Sequence, residues 1–587
     1  MNREVSVRRM LFLALAVATG ALPAAAAAQD TAIVIHPESA GIHFAPVDLP
    51  RAVAEEALQR YNAKTTIRLV SRTRLPAGAA WRGDVVIRNG PALIGGRIEG
   101  SLTVINGNAV LDSTAAITGD LLVIGGTVTG PQDSVGGPVR IYGPPLPYKV
   151  SGDTLIYSPD LWRKLRLSAH YTFGQGETKT SLLLATSGTY NRVEALPIVV
   201  GPSLDWRIGG STWLYASAVG VFRTARSLSG ECCNLGYNVR GELRAGDRRT
   251  VSLSFRSFDL VTPVEDWGLH ANEVGWAAFL FHRDYRDYYR NNGWLGRFAW
   301  QAEPPLGVSL EYRYEHQRSV TARDPWTLFR SEEDWRPNPP IDEGHYYTIS
   351  PGLTIDSRND RDHPTSGLYF RGTLDFSQSN DASPHPLPPS VRDSIPANGS
   401  YTFTRAWLDL RSYFRLSQSG RLSARFILGG WAGGDPLPLQ RRLSIGGTEP
   451  LPGYEFRQVS CSENISDPAF AGTSLAACDR VISLQMEYRG RLSIFPRYNP
   501  ETGQAEGMGV VTRFLRGPDF VVLGDAGQAW LVGEGPGHIP SDHIPALDSW
   551  LADLGVGIDW GGLGVYLAKA VTGNEPFRFT VRLEHRF

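Results

Sequence analysis

The final stretch of the sequence places the tightest limit on the fold of this chain. From Phe577 to Phe587 apolar residues alternate with polar ones, so an extended backbone would carry Phe577 and Phe579 on one face and Arg578 on the other. A wall between lipid and a wet lumen has this period of two. The pattern predicts an all-β fold whose C-terminal part, residues 189–587, is a transmembrane antiparallel β-barrel.

The composition argues against membrane-spanning helices. After residue 28 no apolar stretch reaches the roughly 18 residues that a spanning helix needs, and the mean hydropathy is −0.19. Only helices and closed barrels satisfy their backbone hydrogen bonds in hydrocarbon. About sixteen runs approach the roughly 9 to 11 residues of a tilted membrane strand. The first two, 189–199 and 202–209, are separated by a tight hairpin at Gly201 and Pro202.

The gaps between the predicted strands alternate in length, as expected for the two sides of an outer-membrane barrel. They are long after residues 223, 259, 318, 378, 432 and 531, and short after 209, 246, 302, 357, 416 and 560. A long gap at 494–516 breaks the alternation. One long gap has apolar residues at helical spacing over 272–290, which predicts a helix that either covers the barrel mouth or lies on the surface.

The first 28 residues predict a signal peptide. Three arginines precede an apolar run that is too short to span a bilayer, and three alanines at 26–28 supply small residues before the cleavage point. Export to an oxidising compartment agrees with the four cysteines. Cys461 and Cys478 bracket a loop that a disulfide would stiffen. The adjacent Cys232 and Cys233 either form a strained bridge with each other or pair with another loop.

Between the signal peptide and the barrel the sequence predicts a small β-helix. Residues 29–80 form a mixed cap with one helix at 50–61 and one strand at 65–70. Over 81–148 similar segments recur at spacings of 17, 19 and 18 residues, which fits one coil per repeat. These segments begin at Gly83, Gly100, Gly119 and Gly137. The repeat resembles a bactofilin-type β-helix, most simply a rigid spacer. Residues 149–188 follow as a linker or plug, and their part 160–188 alternates weakly, as either a lead-in hairpin or a plug segment would.

The segment RRLSIGGTEPLPGYEFR at 441–457 resembles the inward-folded sixth loop of the Omp85 superfamily of outer-membrane barrels. The family pattern is a Gly-Gly pair, a short spacer, and then Arg-Gly followed by Phe or Tyr. Gly446, Gly447, Gly453 and Tyr454 match this pattern, whereas Pro452 stands where the family has Arg. Three further segments resemble other parts of the family: 190–194, 354–370 and 524–527.

The resemblance implies roles for residues outside the loop. In the family the loop enters the lumen and its Arg pairs with acidic residues of neighbouring strands, so Asp525 and Gly527 would face the loop. Because Pro452 cannot form an ion pair, Asp525 would meet either Arg457 or Arg489 instead. The alternative is a glycine turn that simply packs inside the lumen.

The resemblance also implies a weak lateral seam between the first and last barrel strands. Tyr190 and Val193 would lie on the first strand, and Phe577, Phe579 and Phe587 on the last. Such a seam would open for a polypeptide client, and the terminal strand would be read by the barrel-assembly machinery. Outer-membrane lipid is the remaining implied partner.

Two functions follow from the resemblance. The first is insertion or translocation of proteins or other envelope components at the outer membrane, with the β-helix in the periplasm. The second is a channel, or an anchor that couples a periplasmic β-helix to the membrane, because the segment ahead of the barrel does not resemble the family's POTRA domains. No zinc, serine-hydrolase, phosphate-loop or dinucleotide motif occurs, so we predict no enzyme, cofactor or metal site. A net charge of −1 gives no reason to expect nucleic-acid binding.

Overall fold

The structure is a computed structural model that describes residues 49–586 with gaps. Outside the description lie residues 1–48, 50, 71–72, 143–145, 147, 152–153, 158–167, 174–177, 187–188, 210–211, 226–234, 247–248, 303–305, 359–363, 393–399, 418–419, 492–517, 561–562, 584 and 587. The predicted signal peptide, the Cys232 and Cys233 pair and Phe587 therefore lie outside the described residues.

The described residues form two α-helices and 32 strands. The helices are α1 (Arg51–Asn62) and α2 (Ala271–Phe281). The strands ahead of the barrel are β1 (Ile67–Val70), β2 (Thr73–Leu75), β3 (Ala80–Arg82), β4 (Val85–Arg88), β5 (Ala92–Ile94), β6 (Arg97–Glu99), β7 (Leu102–Ile105), β8 (Ala109–Leu111), β9 (Ala116–Ile117), β10 (Leu121–Ile124), β11 (Val128–Thr129), β12 (Val139–Tyr142), β13 (Tyr148–Ser151) and β14 (Thr154–Tyr157). The remaining strands are β15 (Ser168–Phe173), β16 (Thr178–Thr186), β17 (Ile198–Gly209), β18 (Thr212–Phe222), β19 (Leu235–Ala245), β20 (Thr250–Pro263), β21 (Tyr288–Gln301), β22 (Leu306–Ser319), β23 (Gly344–Asp356), β24 (Gly367–Ser379), β25 (Tyr401–Arg415), β26 (Gly420–Gly434), β27 (Arg480–Arg491), β28 (Asp519–Val532), β29 (His538–Ile539), β30 (Leu551–Asp559), β31 (Gly564–Ala570) and β32 (Arg578–Arg582).

Strands β1 to β12 stack into a parallel β-solenoid with three sheets. The largest has the order β1-β4-β7-β10-β12, and its register places Val85, Leu102, Leu121 and Val139 opposite one another in successive coils. Stacking like side chains in this way gives each coil a continuous apolar core with its neighbours. The predicted β-helix is confirmed. It begins at β1, ahead of the predicted start at residue 81.

Helix α1 covers the outer face of the largest solenoid sheet. Ala54, Ala57 and Leu58 are buried in one cluster with Val86 and Leu122. Removing these apolar surfaces from water stabilises the contact by about 25 cal/mol per Å². The helix and strand β1 agree with the helix predicted at 50–61 and the strand predicted at 65–70.

The barrel sheet runs from β15 to β32 and follows the order of the chain. Every neighbouring pair is antiparallel except the two-residue β29, which adds to β28 in parallel. The described sheet therefore has eighteen strands, β29 included, close to the sixteen predicted. Three observed strands were not predicted, namely β29 and the pair β15 and β16 within residues 149–188, while the first two predicted strands form the single strand β17.

The predicted division of the first barrel residues into two strands is wrong. Gly201 and Pro202 lie in the middle of β17, opposite Leu183 and Leu182 of β16. On the other side, the pairing with β18 passes from Val200 directly to Ser203. Proline has no backbone N–H to donate, and a strand tolerates it where the hydrogen-bond ladder to the neighbouring strand is interrupted. Pro202 therefore does not require a hairpin.

The two faces of the barrel wall differ as predicted. Phe577, just before β32, is 67 % exposed, and Phe579, within the strand, is 68 % exposed. Thr580 and Arg582 of the same strand are buried. Outward residues of other strands, such as Leu253, are also large, apolar and exposed. The wall therefore presents apolar side chains outward and polar side chains inward, as a membrane barrel requires.

Most long connections gather at one end of the barrel, as predicted, and the exceptional long gap at 494–516 lies outside the described residues. We call residues 264–287, between β20 and β21, the helix loop, and residues 435–479, between β26 and β27, the lumen loop. Helix α2 lies in the helix loop and ends at Phe281, where His282 adopts a φ of 60°. It is therefore shorter than the predicted 272–290. In the described part of the chain, no helix combines the length and apolarity needed to cross a membrane.

Candidate functional site

The lumen loop folds inward against the barrel wall. Ile445 lies against Gly527 of β28, where an added Cβ would stand 2.6 Å from the Ile445 Cδ1 atom. Gly527 belongs to the inward face, because Asp525 beside it is buried while Val522 of the same strand is exposed. The structure thus brings Gly527, a residue singled out in the sequence, into contact with the loop.

The Gly-Gly pair turns the lumen loop back on itself. Gly446 and Gly447 have φ angles of 122° and 104°, which side chains rarely adopt. A Cβ at Gly446 would also stand 2.4 Å from the carbonyl oxygen of Glu455. The pair is therefore needed both for the backbone angle and for the close approach of the returning chain.

The tip of the lumen loop, Pro452-Gly453-Tyr454, docks on β30 and the end of β31. The Gly453 N–H donates to the Asp553 carboxylate at 2.6 Å. The Tyr454 hydroxyl donates to the Ala552 carbonyl at 3.1 Å and lies 2.7 Å from the Thr572 hydroxyl. Pro452 is buried without a charge, so backbone and hydroxyl hydrogen bonds hold the tip.

Arg457 holds the lumen loop to the helix loop. Its guanidinium pairs with Glu265 at 2.9 Å and also with Asp287. Arg192 and Arg336 reach the same Asp287 carboxylate at 2.9 and 2.8 Å. Burial alone would raise the pKa of Asp287, but the three arginines outweigh it and hold that pKa well below its usual range.

A second buried cluster surrounds Glu449 of the lumen loop. Arg425 and Arg582 each lie 3.3 Å from its carboxylate, and His270 of the helix loop lies 3.2 Å away. Burial would raise the pKa of Glu449, but His270 and the arginines keep it well below the usual range. The cluster ties the lumen loop to the helix loop, to β26 and to the last strand.

Both predicted partners of Asp525, Arg457 and Arg489, are wrong. Asp525 pairs with Arg586, near the C-terminus, at 2.7 Å. Arg457 instead meets Glu265 and Asp287, and Arg489 pairs with Glu487 on its own strand. The C-terminal arginine takes the position because it turns inward after β32 and is buried.

Tyr190 and Val193, predicted on the first barrel strand, lie in the turn between β16 and β17. The Asn191 carboxamide oxygen accepts hydrogen bonds from the N–H groups of Val193 and Glu194 at 3.0 and 2.7 Å, which curls the backbone locally. The Tyr190 ring packs edge-on to Phe279, and Val193 is buried with Val261. The assignment of this stretch to a seam strand is therefore wrong, while Phe577 and Phe579 do lie at the last strand.

A disulfide joins Cys461 to Cys478, whose Cα atoms are 5.0 Å apart. The Leu443 N–H donates to the Cys478 carbonyl at 2.9 Å, so the bridge lies at the base of the lumen loop. The disulfide thus fixes the return of the chain next to the segment that carries the Gly-Gly pair.

Several residues of these contacts were not identified from the sequence: Glu265, Asp287, Glu449 and Asp553. Glu265, Asp287 and Asp553 stand in a loop or singly on a strand, and no local spacing marks them, whereas Glu449 lies inside the singled-out segment 441–457. Arg192 could have been identified from the sequence, because it lies inside the segment 190–194 that resembles part of the family. Within the described residues, no group of three or more His, Cys, Asp or Glu side chains is arranged to hold a metal ion.

One family model and several solved structures are similar to parts of this chain. Residues 234–489 match the family model described as the Omp85 superfamily domain. BamA from Haemophilus ducreyi lacking POTRA domains 1-3 has a TM-score of 0.41 and 11% identity, over 71% of this chain and 74% of that chain. CdiB from Acinetobacter baumannii has a TM-score of 0.29 and 11% identity, over 72% of this chain and 66% of that chain.

Among curated proteins, the anti-sigma-W factor RsiW of Bacillus subtilis (strain 168) is 38% identical over 47 residues. That match spans 8% of this chain and 23% of the relative's length, so it carries no conclusion about function. The family model, by contrast, covers the barrel from β19 to β27 and includes the lumen loop with its Gly-Gly pair. This chain is a β-barrel protein whose residues 234–489 match the Omp85 superfamily domain.

Proposed function

We propose that this chain is an integral outer-membrane protein that inserts or translocates polypeptides, with the lumen loop as a removable internal brace. The observation that carries the proposal is the position of the loop against the inner wall, where Ile445 meets Gly527 and Tyr454 meets Thr572. Because the brace is held at several separate points, its contacts with the wall can break one after another, as the passage of a polypeptide through the lumen would require.

The charge pairs support a brace that opens only on demand. Arg457 and Glu449 are buried and each meets more than one oppositely charged side chain. Breaking a buried pair leaves an uncompensated charge and costs about 3 to 5 kcal/mol. An open pore at rest is therefore disfavoured, and a client that replaces these contacts would supply the energy for opening.

The outer surface of the barrel supports residence in a lipid bilayer. Exposed apolar side chains such as Leu253 and Phe579 face away from the lumen. On this proposal the last strand, with its alternating pattern, is what the barrel-assembly machinery reads.

The solenoid would lie in the periplasm. It precedes the barrel in the chain, and Arg88 of β4 lies within electrostatic range of Arg415, next to the short turn after β25. The end with the short turns is the periplasmic end in outer-membrane barrels. There the solenoid would hold a client, a partner protein or the cell wall.

A second candidate is a channel or structural anchor without assembly activity. Pro452 favours it, because an uncharged tip is held by hydrogen bonds rather than by a central ion pair. On this view the solenoid attaches the envelope to the barrel, and the lumen loop is a fixed plug.

The test is a cross-link between the two loops. Ser444 and Glu265 are hydrogen-bonded through their side chains at 2.8 Å, so Ser444→Cys with Glu265→Cys would join them on oxidation. Cells that lack the chain would be complemented with the wild type, with either single cysteine variant or with the pair. Quantitative proteomics of the outer membrane would be the readout.

Depletion of outer-membrane proteins in the cross-linked strain alone would support insertion or translocation. An unchanged outer-membrane proteome in cells that lack the chain altogether would contradict it. A proteome restored equally by the cross-linked pair would favour the channel or anchor. The heat-dependent electrophoretic shift of the folded barrel controls for folding of each variant.

A further inference from the structure

Helix α2 lies between the two ends of the barrel sheet. At one end, the Glu273 carboxylate accepts the Leu583 N–H at 3.0 Å and lies 3.4 Å from the Arg582 guanidinium. At the other end, Gly275 abuts Thr189, which follows β16; a Cβ at Gly275 would stand 2.2 Å from the Thr189 Cβ. One short helix thus contacts the residues that follow the last strand and those that follow the second strand.

The last strand is the edge of the described sheet. Among the described residues, β32 pairs with β31 and with no second strand. An edge strand offers main-chain donors and acceptors to any extended polypeptide, which is how strands are added to sheets. The Leu583 N–H is the first donor beyond β32, and the Glu273 carboxylate occupies it as the carbonyl of an added strand would.

The exchange of Glu273 for a carbonyl leaves no buried charge without a partner. Arg582 keeps the Glu449 carboxylate, 3.3 Å away. The Glu273 side chain would turn away with the first turn of its helix and become hydrated. An incoming main-chain carbonyl therefore competes with the Glu273 carboxylate for the Leu583 N–H. Loss of the Glu273 contact leaves Arg582 paired with Glu449.

Helix α2 is held mainly at its C-terminal half, where the Phe279 and Leu280 carbonyls accept the N–H groups of Leu328 and Phe329 at 3.0 and 3.1 Å, whereas its first turn carries Glu273. Only Val274, Gly275 and Ala278 of its eleven residues are buried, and no side chain caps its first turn. A glycine within a helix costs about 1 kcal/mol relative to alanine. On either side, Glu265 is fixed to Ser444 and Arg457, and Asp287 to Arg192. The uncapped first turn, which carries Glu273, can therefore move while the C-terminal half of the helix and the base of its loop stay in place.

We propose that α2 is a clasp that closes the free edge of the last strand, and that the main chain of an extended client displaces Glu273 from Leu583 before it pairs there. This inference rests on the proposed function and adds its regulation. The partner is defined by its chemistry: an extended segment with an alternating apolar pattern and free main-chain carbonyls.

The test uses the full chain in liposomes and a fluorescent peptide with the sequence of residues 577–587, FRFTVRLEHRF, as the strand probe. Glu273→Ala removes the clasp contact and is expected to raise peptide affinity about tenfold. Glu273→Gln retains a carbonyl acceptor for Leu583 and should lie in between. Glu332→Ala, an exposed glutamate of another long loop, is the matched control and should leave the affinity unchanged.

A thiol cross-linker joining Glu273→Cys to Arg582→Cys should abolish peptide binding. Equal affinity for wild type and Glu273→Ala, no binding by either, or binding that persists after cross-linking would each overturn the clasp. These outcomes are separable from the proposed function. Failure of the clasp leaves the proteome of cells lacking the chain depleted, whereas failure of the proposed function leaves that proteome unchanged.

Discussion

The guanidinium of Arg586 lies 2.7 Å from the carboxylate of Asp525, and both side chains are buried. The end of the chain is therefore bound to the middle of β28 inside the barrel. Asp553, which faces the same place, accepts the N–H of Gly453 from the lumen loop. The residues after the last strand, the wall and the loop tip thus meet at the carboxylates of Asp525 and Asp553, and Arg586 pairs with the first of them.

Substitution of this arginine should destabilise the barrel. In Arg586→Ala, Asp525 would remain buried beside Asp553 without its cation, and removing one partner of a buried pair typically costs about 3 to 5 kcal/mol. We expect a lower urea midpoint for the loss of the heat-dependent electrophoretic shift. The double variant Arg586→Ala with Asp525→Asn should recover part of that loss. Equal midpoints for Arg586→Ala and the wild type would show that the pair is not coupled to folding.

Replacement of one glycine in the lumen loop should loosen it. Gly446→Ala forces a side chain into a φ of 122° and against the Glu455 carbonyl. Such backbone strain costs about 1 to 3 kcal/mol. We expect faster proteolysis within 435–479, measured by mass spectrometry of the fragments. Gly433→Ala in β26 is the control, because nothing lies within 4 Å of the added Cβ.

The wall and the solenoid were predictable because their signals are periodic. The alternation at Phe579 and Thr580 reports which face meets lipid, and recurring glycines such as Gly100 and Gly119 report the coil length. Each signal needs only neighbouring residues or a fixed repeat. The Gly-Gly pair was identified by its resemblance to a family pattern, and its backbone angles explain why glycine is needed there.

The partners of the charged residues could not be predicted in the same way. Arg457 and Glu265 are 192 residues apart in the chain, and no local pattern links them. Asp525 was assigned to the wrong cation because the inward turn of Arg586 after β32 leaves no sequence signal. The first strand was misplaced because Asn191 satisfies two backbone N–H groups and ends the extended conformation. A side chain that hydrogen-bonds to nearby backbone groups can thus override the extended conformation that apolar alternation favours.

Acid should weaken the contact between α1 and the solenoid. Partial burial would raise the pKa of Asp120, but hydrogen bonds from Arg60 and Ser101 outweigh it and lower the pKa to about 2. A carboxyl whose pKa is depressed by folding adds stability above its unfolded pKa of about 3.9, and that stability is lost as the pH falls through its folded pKa. The affected window therefore lies between about pH 4 and pH 2.

Hydrogen exchange of α1 in the full chain would measure this effect. Protection should decline across that window in the wild type, and Asp120→Asn should show lower protection at pH 7 and a flatter decline. Asp133→Asn, an exposed aspartate of the same domain, is the control and should follow the wild type. A decline of equal size in Asp120→Asn would assign the acid sensitivity to other groups.

Arg457 should control conductance through the barrel. In Arg457→Ala, Asp287 keeps Arg192 and Arg336, but Glu265 loses its cation and the lumen loop loses its link to the helix loop. We expect larger and longer openings in planar bilayers. Arg457→Lys should give an intermediate result, because an ammonium keeps the charge but not the fork that reaches both carboxylates. Arg283→Ala, an exposed arginine of the helix loop, should conduct like the wild type. Small, unaltered currents in Arg457→Ala would mean that the docked tip at Tyr454 alone keeps the lumen closed.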